Sequence, residues 1–542
     1  MNPKKFLVRQ LTEALARLGQ TDTIPEVSPT RDPKFGDLST NVSLKLTRAL
    51  KRNPLEIAEQ ILAELDLDVD LFEQPTITKP GFINFTIRND YYRRLIPEII
   101  TGGDAYGRGQ TGNGQTANVE FVSANPTGPL TVGHGRQAVL GDAVASILEW
   151  HGYEVIREYY YNDAGRQMRI LGQSVEARYF QELGQAVELP EDGYRGEYLR
   201  EIARNLVSEQ GEKLKAGDPI FRKAAEAVIF ADIKNSLAGL GIHHQVFSNE
   251  KNYYDSGAID RMVADLRERD LIYEKEAATW FKTTALGKDQ DRVLIKSSGE
   301  PTYRLPDMAY HRDKLERNFD LIVDIFGADH QATYPDVLTA LKILEYDVSP
   351  IRVLIHQFVT LVRSGQKVKM STRKANFVTL EELTEIAGKD VVRYFFIMRG
   401  MNTHLNFDLD LAEDESEKNP VYYLQYAHAR ISNIIRHGES LGISFKDQYD
   451  LTLLTHPGEI QLLKQMARFT DATESALESL EPQVLATYLQ DLATAFHKFY
   501  VDCRVITADQ RLTQARLALI YATRIVLANG LGILGLTAPE KM

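Results

Sequence analysis

A single cysteine, Cys503, in 542 residues leaves no partner for a disulfide and no thiol set for a cysteine zinc site. One thiol is the usage of a reducing compartment, so a cytoplasmic location is expected. No stretch reaches the roughly 18 uninterrupted apolar residues of a membrane helix. The best run, Ile525–Leu536, is broken by Asn529 and three glycines, and no membrane is expected as a partner. Lys4 and Lys5 precede no apolar run, so no cleaved secretory signal is expected. Basic excess is missing as well. The 63 Lys and Arg residues face 75 Asp and Glu, a net charge of −12, which taken alone counts against a phosphate-rich partner, although a binding face is local. Repeats of fixed period, low-complexity tails and a Walker A lysine motif are absent from the sequence, and the last absence removes the P-loop NTPases.

What is present is ordinary globular usage, 43% hydrophobic and 25% charged, in a chain long enough for roughly three or four domains. Residues 1–112 read as a small α+β domain. Phe6, Leu7, Leu11, Leu15 and Leu18 recur at helical spacing, as do Ile57, Ile61 and Leu65, and Ile77–Ile87 reads as paired strands broken at Lys79-Pro80-Gly81. A glycine-rich stretch, Gly102–Gly114, reads as a linker. Its Gly107–Gly112 portion matches the dinucleotide fingerprint in form but precedes a strand instead of following one, so no NAD site is assigned. Residues 113–415 alternate apolar strand runs with helical segments, which indicates a parallel α/β sheet with a helical insertion around 181–240. Residues 416–542 are all helical in pattern. Leu485, Tyr488, Leu489, Leu492, Phe496, Phe499, Tyr500 and Cys503 mark one buried helix face. The fold class is therefore multidomain α/β, with an α+β N-terminal domain and an all-α C-terminal bundle.

Two segments carry the chemistry. Val119–Arg136 runs from a strand through a Pro/Gly turn into a helix near Gly133. Free N–H groups and the dipole at such a helix start suit a phosphate. Gly128 and Gly133 would let a nucleotide approach the backbone, and His134 can donate to a phosphate oxygen as charge develops. Read in isolation, the same residues make a strand–turn–helix junction with a surface histidine. The second segment, Lys367–Lys374, puts four cations and two hydroxyls behind Gly365. It can clamp a triphosphate, or it can be a solvated basic turn.

Together these segments resemble the signatures of the class I arginyl-tRNA synthetases. The first is similar to that family's version of the HIGH signature and the second to its KMSKR signature. The resemblance extends to Gly193–Tyr198, Ala309–Asp313, Gly327–His330, Phe407–Leu411, Asn419–Arg430 and the closing Ala538–Met542. Two positions depart from the pattern: Thr131 replaces the first histidine of HIGH, and Thr372 the second lysine of KMSKR. The resemblance implies that residues 113–415 form a Rossmann-type catalytic domain, in which arginine's carboxylate attacks the α-phosphorus of ATP to give arginyl-adenylate and pyrophosphate, usually with Mg²⁺. The arginyl group then passes to the 3′ end of its cognate tRNA, and activation requires that tRNA. It implies catalytic roles for Thr131, Gly133, His134, Lys369, Ser371 and Arg373, with ATP contacts from Gly128, Gly133, His134, His330, His356 and Met370.

Arginine's planar guanidinium calls for bidentate carboxylates and an aromatic face. By family position, Glu250 and Asp307 would take the guanidinium and Tyr303 would cover it. Glu120 and Asn125 would hold the α-amino and carboxylate groups, with Asp329 nearby. No protein-held metal site is assigned. The tail resembles the family's anticodon-binding bundle: its net charge is −1 against −11 for the rest. Tyr422, Tyr426, Arg430 and Arg436 mix aromatics with cations as base-stacking surfaces do. The expected partners are arginine tRNA, arginine and ATP, and the expected state is a monomer. Two alternatives remain at this point: a non-catalytic tRNA-binding paralogue, motivated by Thr131 and Thr372, and a related enzyme for another amino acid.

Overall fold

The computed structural model describes residues 2–542 apart from 31, 164, 369–377 and 447. The described chain packs as two compact units that do not follow chain order. One holds residues up to Tyr106 with Asn433–Arg468 and Thr494–Val526; the other holds Gly107–Ser432, Phe469–Ala493 and Leu527–Met542.

In the first unit the helix Pro3–Arg17 starts where the Asn2 side chain accepts the Lys5 N–H at 3.1 Å. It buries Phe6, Leu7, Leu11 and Leu15, four of the five residues whose spacing predicts it. The paired strands at Lys79–Gly81 also form. Thr76–Thr78 and Phe82–Phe85 lie antiparallel at one side of a four-stranded sheet completed by Leu38–Thr40 and Ser28–Pro29.

The second unit is built on five parallel strands in the order Ile351–His356, Leu321–Gly327, Thr116–Glu120, Glu154–Tyr161, Val246–Asn249. Thr116–Glu120 is buried on both faces, as a central parallel strand must be. The strand order reverses beside it, and the crevice at such a switch point is where open α/β sheets bind ligands. The helix Val132–Trp150 follows, with fifteen of its nineteen residues buried, which makes it the core helix of this unit. Its close approach to the sheet needs Gly141, where an added Cβ would lie 2.1 Å from the Phe121 ring.

Three local expectations differ from the structure. Gly102–Gly114 is not a free linker. Within the second unit, Gly109 and Gly112 donate their N–H groups to Trp150 and His151 carbonyls, and Cβ atoms there would collide with the His151 and Tyr153 rings at 2.0 and 2.1 Å. The glycines serve close docking, which composition alone does not distinguish from flexibility. The helical insertion begins at Arg166, not near 181, with helices Arg166–Glu182, Tyr198–Gln210 and Ile220–Gly239. A three-stranded antiparallel sheet, Ile272–Lys275, Ala278–Phe281 and Arg292–Ile295, had no sequence expectation. Gln510–Ile533 is long and apolar enough to cross a membrane by length and composition, but 67% of its most apolar window is buried in the protein.

Candidate active site

The site lies at the carboxyl ends of the parallel strands, and its residues fall into an anionic end and a nucleotide end. At the anionic end, Glu120 closes the central strand at 2% exposure. It accepts bonds from Ser123 Oγ at 2.8 Å and from Lys314 Nζ. Lys314 also donates to Asp324 at 2.5 Å, and His311 Nε2 pairs with the same carboxylate at 3.1 Å. Burial opposes charge on all three groups, but mutual attraction wins. Lys314 and His311 are raised above their usual ranges, and Asp324 is held well below the carboxylate range.

Glu250, at the start of a short helix after the Val246–Asn249 strand, is 6% exposed. It accepts Tyr160 OH at 3.0 Å and Asn162 Nδ2 at 2.5 Å. Burial, reinforced by Asp163, pushes its pKa up to about 6 against the hydrogen bonds that favour the anion. Asp307, in the first turn of helix Arg304–Glu316, is pushed up to about 7 by desolvation, which with repulsion from Glu120 and Glu250 outweighs the attraction of His311 and Lys314. Burial first, and then Glu250, Asp307 and Glu120, hold the Tyr160 phenol far above its usual range. The three carboxylates therefore surround one hydroxyl. Tyr160 stacks on Tyr310 at 4.2 Å and 15°. Glu250 and Asp307 have no ion-pair partner among the described residues, so the pocket holds an unmet demand for a cation.

Not every expected arginine contact joins this cluster. Tyr303 caps the same helix one turn before Asp307 but stands 69% exposed, so its ring does not cover the anionic pair. Asn125 is engaged with its neighbours: its Oδ1 accepts the Asn162 N–H at 2.9 Å and its Nδ2 donates to Gln167 at 3.2 Å. Asp329 lies on the nucleotide side, where it acts electrostatically on His134 and His356.

At the nucleotide end, Thr131 is the N-cap of the Val132–Trp150 helix. Its backbone N–H donates to His134 Nδ1 at 3.2 Å, and its Oγ1 lies 3.3 Å from the same nitrogen. An acceptor role for Nδ1 assigns the proton of the neutral ring to Nε2. Burial holds the His134 pKa down despite Asp329, so the neutral donor form prevails at pH 7. The hydroxyl of Thr131, given a catalytic role by the resemblance, lies against the histidine that the residue orients.

Gly133 and Gly128 differ. A Cβ on Gly133 would meet only Thr131 Oγ1 at 3.7 Å, which leaves open space before the helix start. A Cβ on Gly128 would meet Tyr198 OH at 3.2 Å, and that hydroxyl donates to Thr127 O at 2.8 Å. The packing of the insertion explains Gly128 without a nucleotide.

His356 ends the edge strand at 6% exposure, with its pKa lowered to about 4 by burial and its Nε2 unbonded. His330 stacks on Phe326 at 5.4 Å. A cavity of about 240 Å³ beside this strand is lined by residues that include Gln331, Tyr334, Gln357, Asn402 and Glu481, none of which sequence reasoning singled out. Arg136, missed as well, is wholly buried and donates to the carbonyls of Gln357, Thr403 and Gly400 at 2.7, 3.0 and 3.1 Å. Lys369, Met370, Ser371 and Arg373 lie outside the described residues. Before them come the hairpin strands Val359–Arg363 and Gln366–Lys367, and after them Thr379 bridges to Thr131.

On helix Pro420–Ser440, Tyr422, Tyr426 and Arg430 recur at four, and the Arg430 guanidinium lies 6.0 Å from the Tyr426 ring centroid. Arg436 lies further along the helix, bonded to Asn433 at 2.5 Å.

Three family models match successive parts of the chain. They are the arginyl tRNA synthetase N terminal domain (residues 5–87), the class I (R) tRNA synthetase catalytic domain (96–395) and the DALR anticodon binding domain (424–542). The arginine–tRNA ligase of Salinibacter ruber is 48% identical over 99% of this chain and 100% of its own. That of Desulfotalea psychrophila is 50% identical over 94% and 93%. The Thermus thermophilus arginyl-tRNA synthetase structure superimposes over 100% of both chains with a TM-score of 0.78 at 21% identity, a likeness of fold. Catalytic sheet, signature helix and full-length identity agree: the chain belongs to the class I arginyl-tRNA synthetases, the arginine–tRNA ligases.

Proposed function

We propose that Asp307 and Glu250 bind the guanidinium of arginine, that Glu120 with Asn125 holds its α-amino and carboxylate groups, and that His134 Nε2–H meets the α-phosphate of ATP. The observation that carries this reading is that half-buried Asp307 and buried Glu250 face one pocket with no ion pair to either carboxylate among the described residues. A cation entering the pocket relieves their repulsion without protonating either group, and a planar five-donor group can satisfy both carboxylates at once.

A neutral histidine donor pre-aimed at the opposite end costs no reorganisation as charge builds on phosphorus. Tyr303 would close over the arginine when the pocket fills. His330, His356 and Met370 would flank the adenine, and Lys369, Ser371 and Arg373 would neutralise pyrophosphate, as the matching signatures imply. Mg²⁺ would enter with the ATP substrate, held through its phosphates.

Tyr422, Tyr426, Arg430 and Arg436 would read the tRNA anticodon arm, with residues 1–112, 113–415 and 416–542 as tRNA-contacting, catalytic and anticodon-binding parts. The proposed state is a cytoplasmic monomer, as expected from the sequence. Arginine-dependent ATP–pyrophosphate exchange, with and without arginine tRNA, tests the reading. Exchange only when tRNA is present is expected. No exchange in either case, with tRNA binding intact, would refute it.

A further inference from the structure

Lys314 is the only lysine that is buried among the described residues, and it is wholly enclosed. Its ammonium joins carboxylates from two adjacent strands, Glu120 and Asp324. Asp324 has no exposed surface, so no substrate can touch it. Glu120 terminates the strand that opens on the pocket. Asp307, Tyr310, His311 and Lys314 stand at i, i+3, i+4 and i+7 on helix Arg304–Glu316 and so share one face. That face carries an anion at one end and two cations seven and four residues away. Tyr310 lies between them, its ring 4.4 Å from the ammonium.

We propose that Lys314 is a positioning residue for arginine, which divides the negative charge of the pocket into a compensated half and an uncompensated half. On one side Lys314 and His311 cancel Asp324 and fix the Glu120 carboxylate, so that it faces the α-ammonium in one orientation. On the other side Asp307 and Glu250 keep their demand for a cation, and the guanidinium end of the substrate is the group that meets it. Orientation follows from this division: an arginine bound backwards would set its compact α-ammonium against two unpaired carboxylates and its guanidinium against a carboxylate already paired. The inference rests on the pocket reading given above.

Arginine- and ATP-dependences of tRNA-stimulated exchange test it in Lys314→Met, Lys314→Arg and Asp324→Asn, with Glu120→Gln as the reference. Lys314→Met should raise KM for arginine about 30-fold or more, because two carboxylates lose their shared counter-ion. KM for ATP should stay within about threefold, since ATP meets none of these groups. Lys314→Arg restores the charge and should return KM for arginine to within about tenfold of the parent. Asp324→Asn, which no substrate reaches, should raise it about three- to tenfold through Lys314 alone.

A folded Lys314→Met protein with unchanged KM for arginine, or with equal losses for arginine and ATP, overturns the proposal. If that variant does not fold, an unchanged KM for arginine in Asp324→Asn overturns it instead. When Glu120→Gln impairs arginine use but the Lys314 and Asp324 variants do not, this inference alone has failed. When Glu120→Gln also has no effect, the pocket reading itself has failed.

Discussion

The two ends of the pocket follow opposite electrostatic plans. At the arginine end the side chains are buried, ionisable and deliberately mismatched: Glu120 has its lysine, whereas Asp307 and Glu250 have none. At the nucleotide end they are neutral. His134 and His356 are held below their usual pKa by burial, and Gly133 leaves open space in front of the helix start. An amino acid with a permanent positive charge can be selected by stored repulsion between carboxylates. A triphosphate that changes charge during the reaction is better met by donors that bring no charge of their own. Thus the empty enzyme is strained where the substrate is constant and relaxed where the substrate changes.

Removing the mismatch should have the largest effect. Asp307→Asn presents an amide to a group that has only donors, and should cost roughly 2–4 kcal/mol, about 30- to 1,000-fold in kcat/KM for arginine. ATP and tRNA binding should barely move. A change below about threefold in charging kinetics would remove Asp307 from the guanidinium site.

At the other end, His134→Ala should lower the turnover of exchange about 100-fold while KM for ATP changes little, as for loss of one transition-state donor. A loss confined to ATP affinity would erase the contrast between the ends.

Acidity should separate the ends more gently. Protonation of Glu250 near pH 6 and of Asp307 near pH 7 discharges the site that binds the cation. KM for arginine should therefore climb as pH falls from 8 to 6, by about tenfold. KM for ATP should follow it less, because burial holds both His134 and His356 below the usual histidine range. A flat arginine profile would mean that these carboxylates do not meet the substrate.

The smallest effect is on stability. A carboxyl whose pKa is raised by folding costs stability that builds between its unfolded value and its folded value, and the full cost applies above pH 7. Asp307→Asn should thus stabilise the arginine-free protein by on the order of 1 kcal/mol at pH 8, and the gain should vanish near pH 4. Thermal unfolding at the two pH values measures it.

How much of this was legible in the sequence depended on whether a residue's role is local. The strands Thr116–Glu120 and Leu321–Gly327 were readable because parallel strands buried on both faces are continuous apolar runs, and the edge strand Ile351–His356 because it keeps an apolar run all the same. The strands between Ile272 and Ile295 are four residues each, too short for any period to emerge. Asp307 and His134 were found because they sit in compact motifs. Lys314, Tyr160 and Asn162 were not, although the polar face Asp307-Tyr310-His311-Lys314 was a visible signal: four polar or aromatic residues at core spacing. Lys314 meets Glu120 across 194 residues, and Tyr160 and Asn162 meet Glu250 across 90 and 88, and no local pattern reports a contact over such distances. Thr131 was readable only as a departure from a signature. Its use as the N-cap that orients His134 required the coordinates.

The buried guanidinium of Arg136 changes how natural variation at this site should be interpreted. One planar group joins the helix that carries His134 to the chain after His356 and to the Gly400–Thr403 turn, through three carbonyls at once. Lysine offers the same charge but a single tetrahedral nitrogen on a flexible stem, which cannot span that arrangement. A homologue or clinical isolate with lysine at position 136 would look conservative in any substitution matrix. It would nevertheless lose a joint between two walls of the nucleotide end, with its ATP-binding segments free to drift apart.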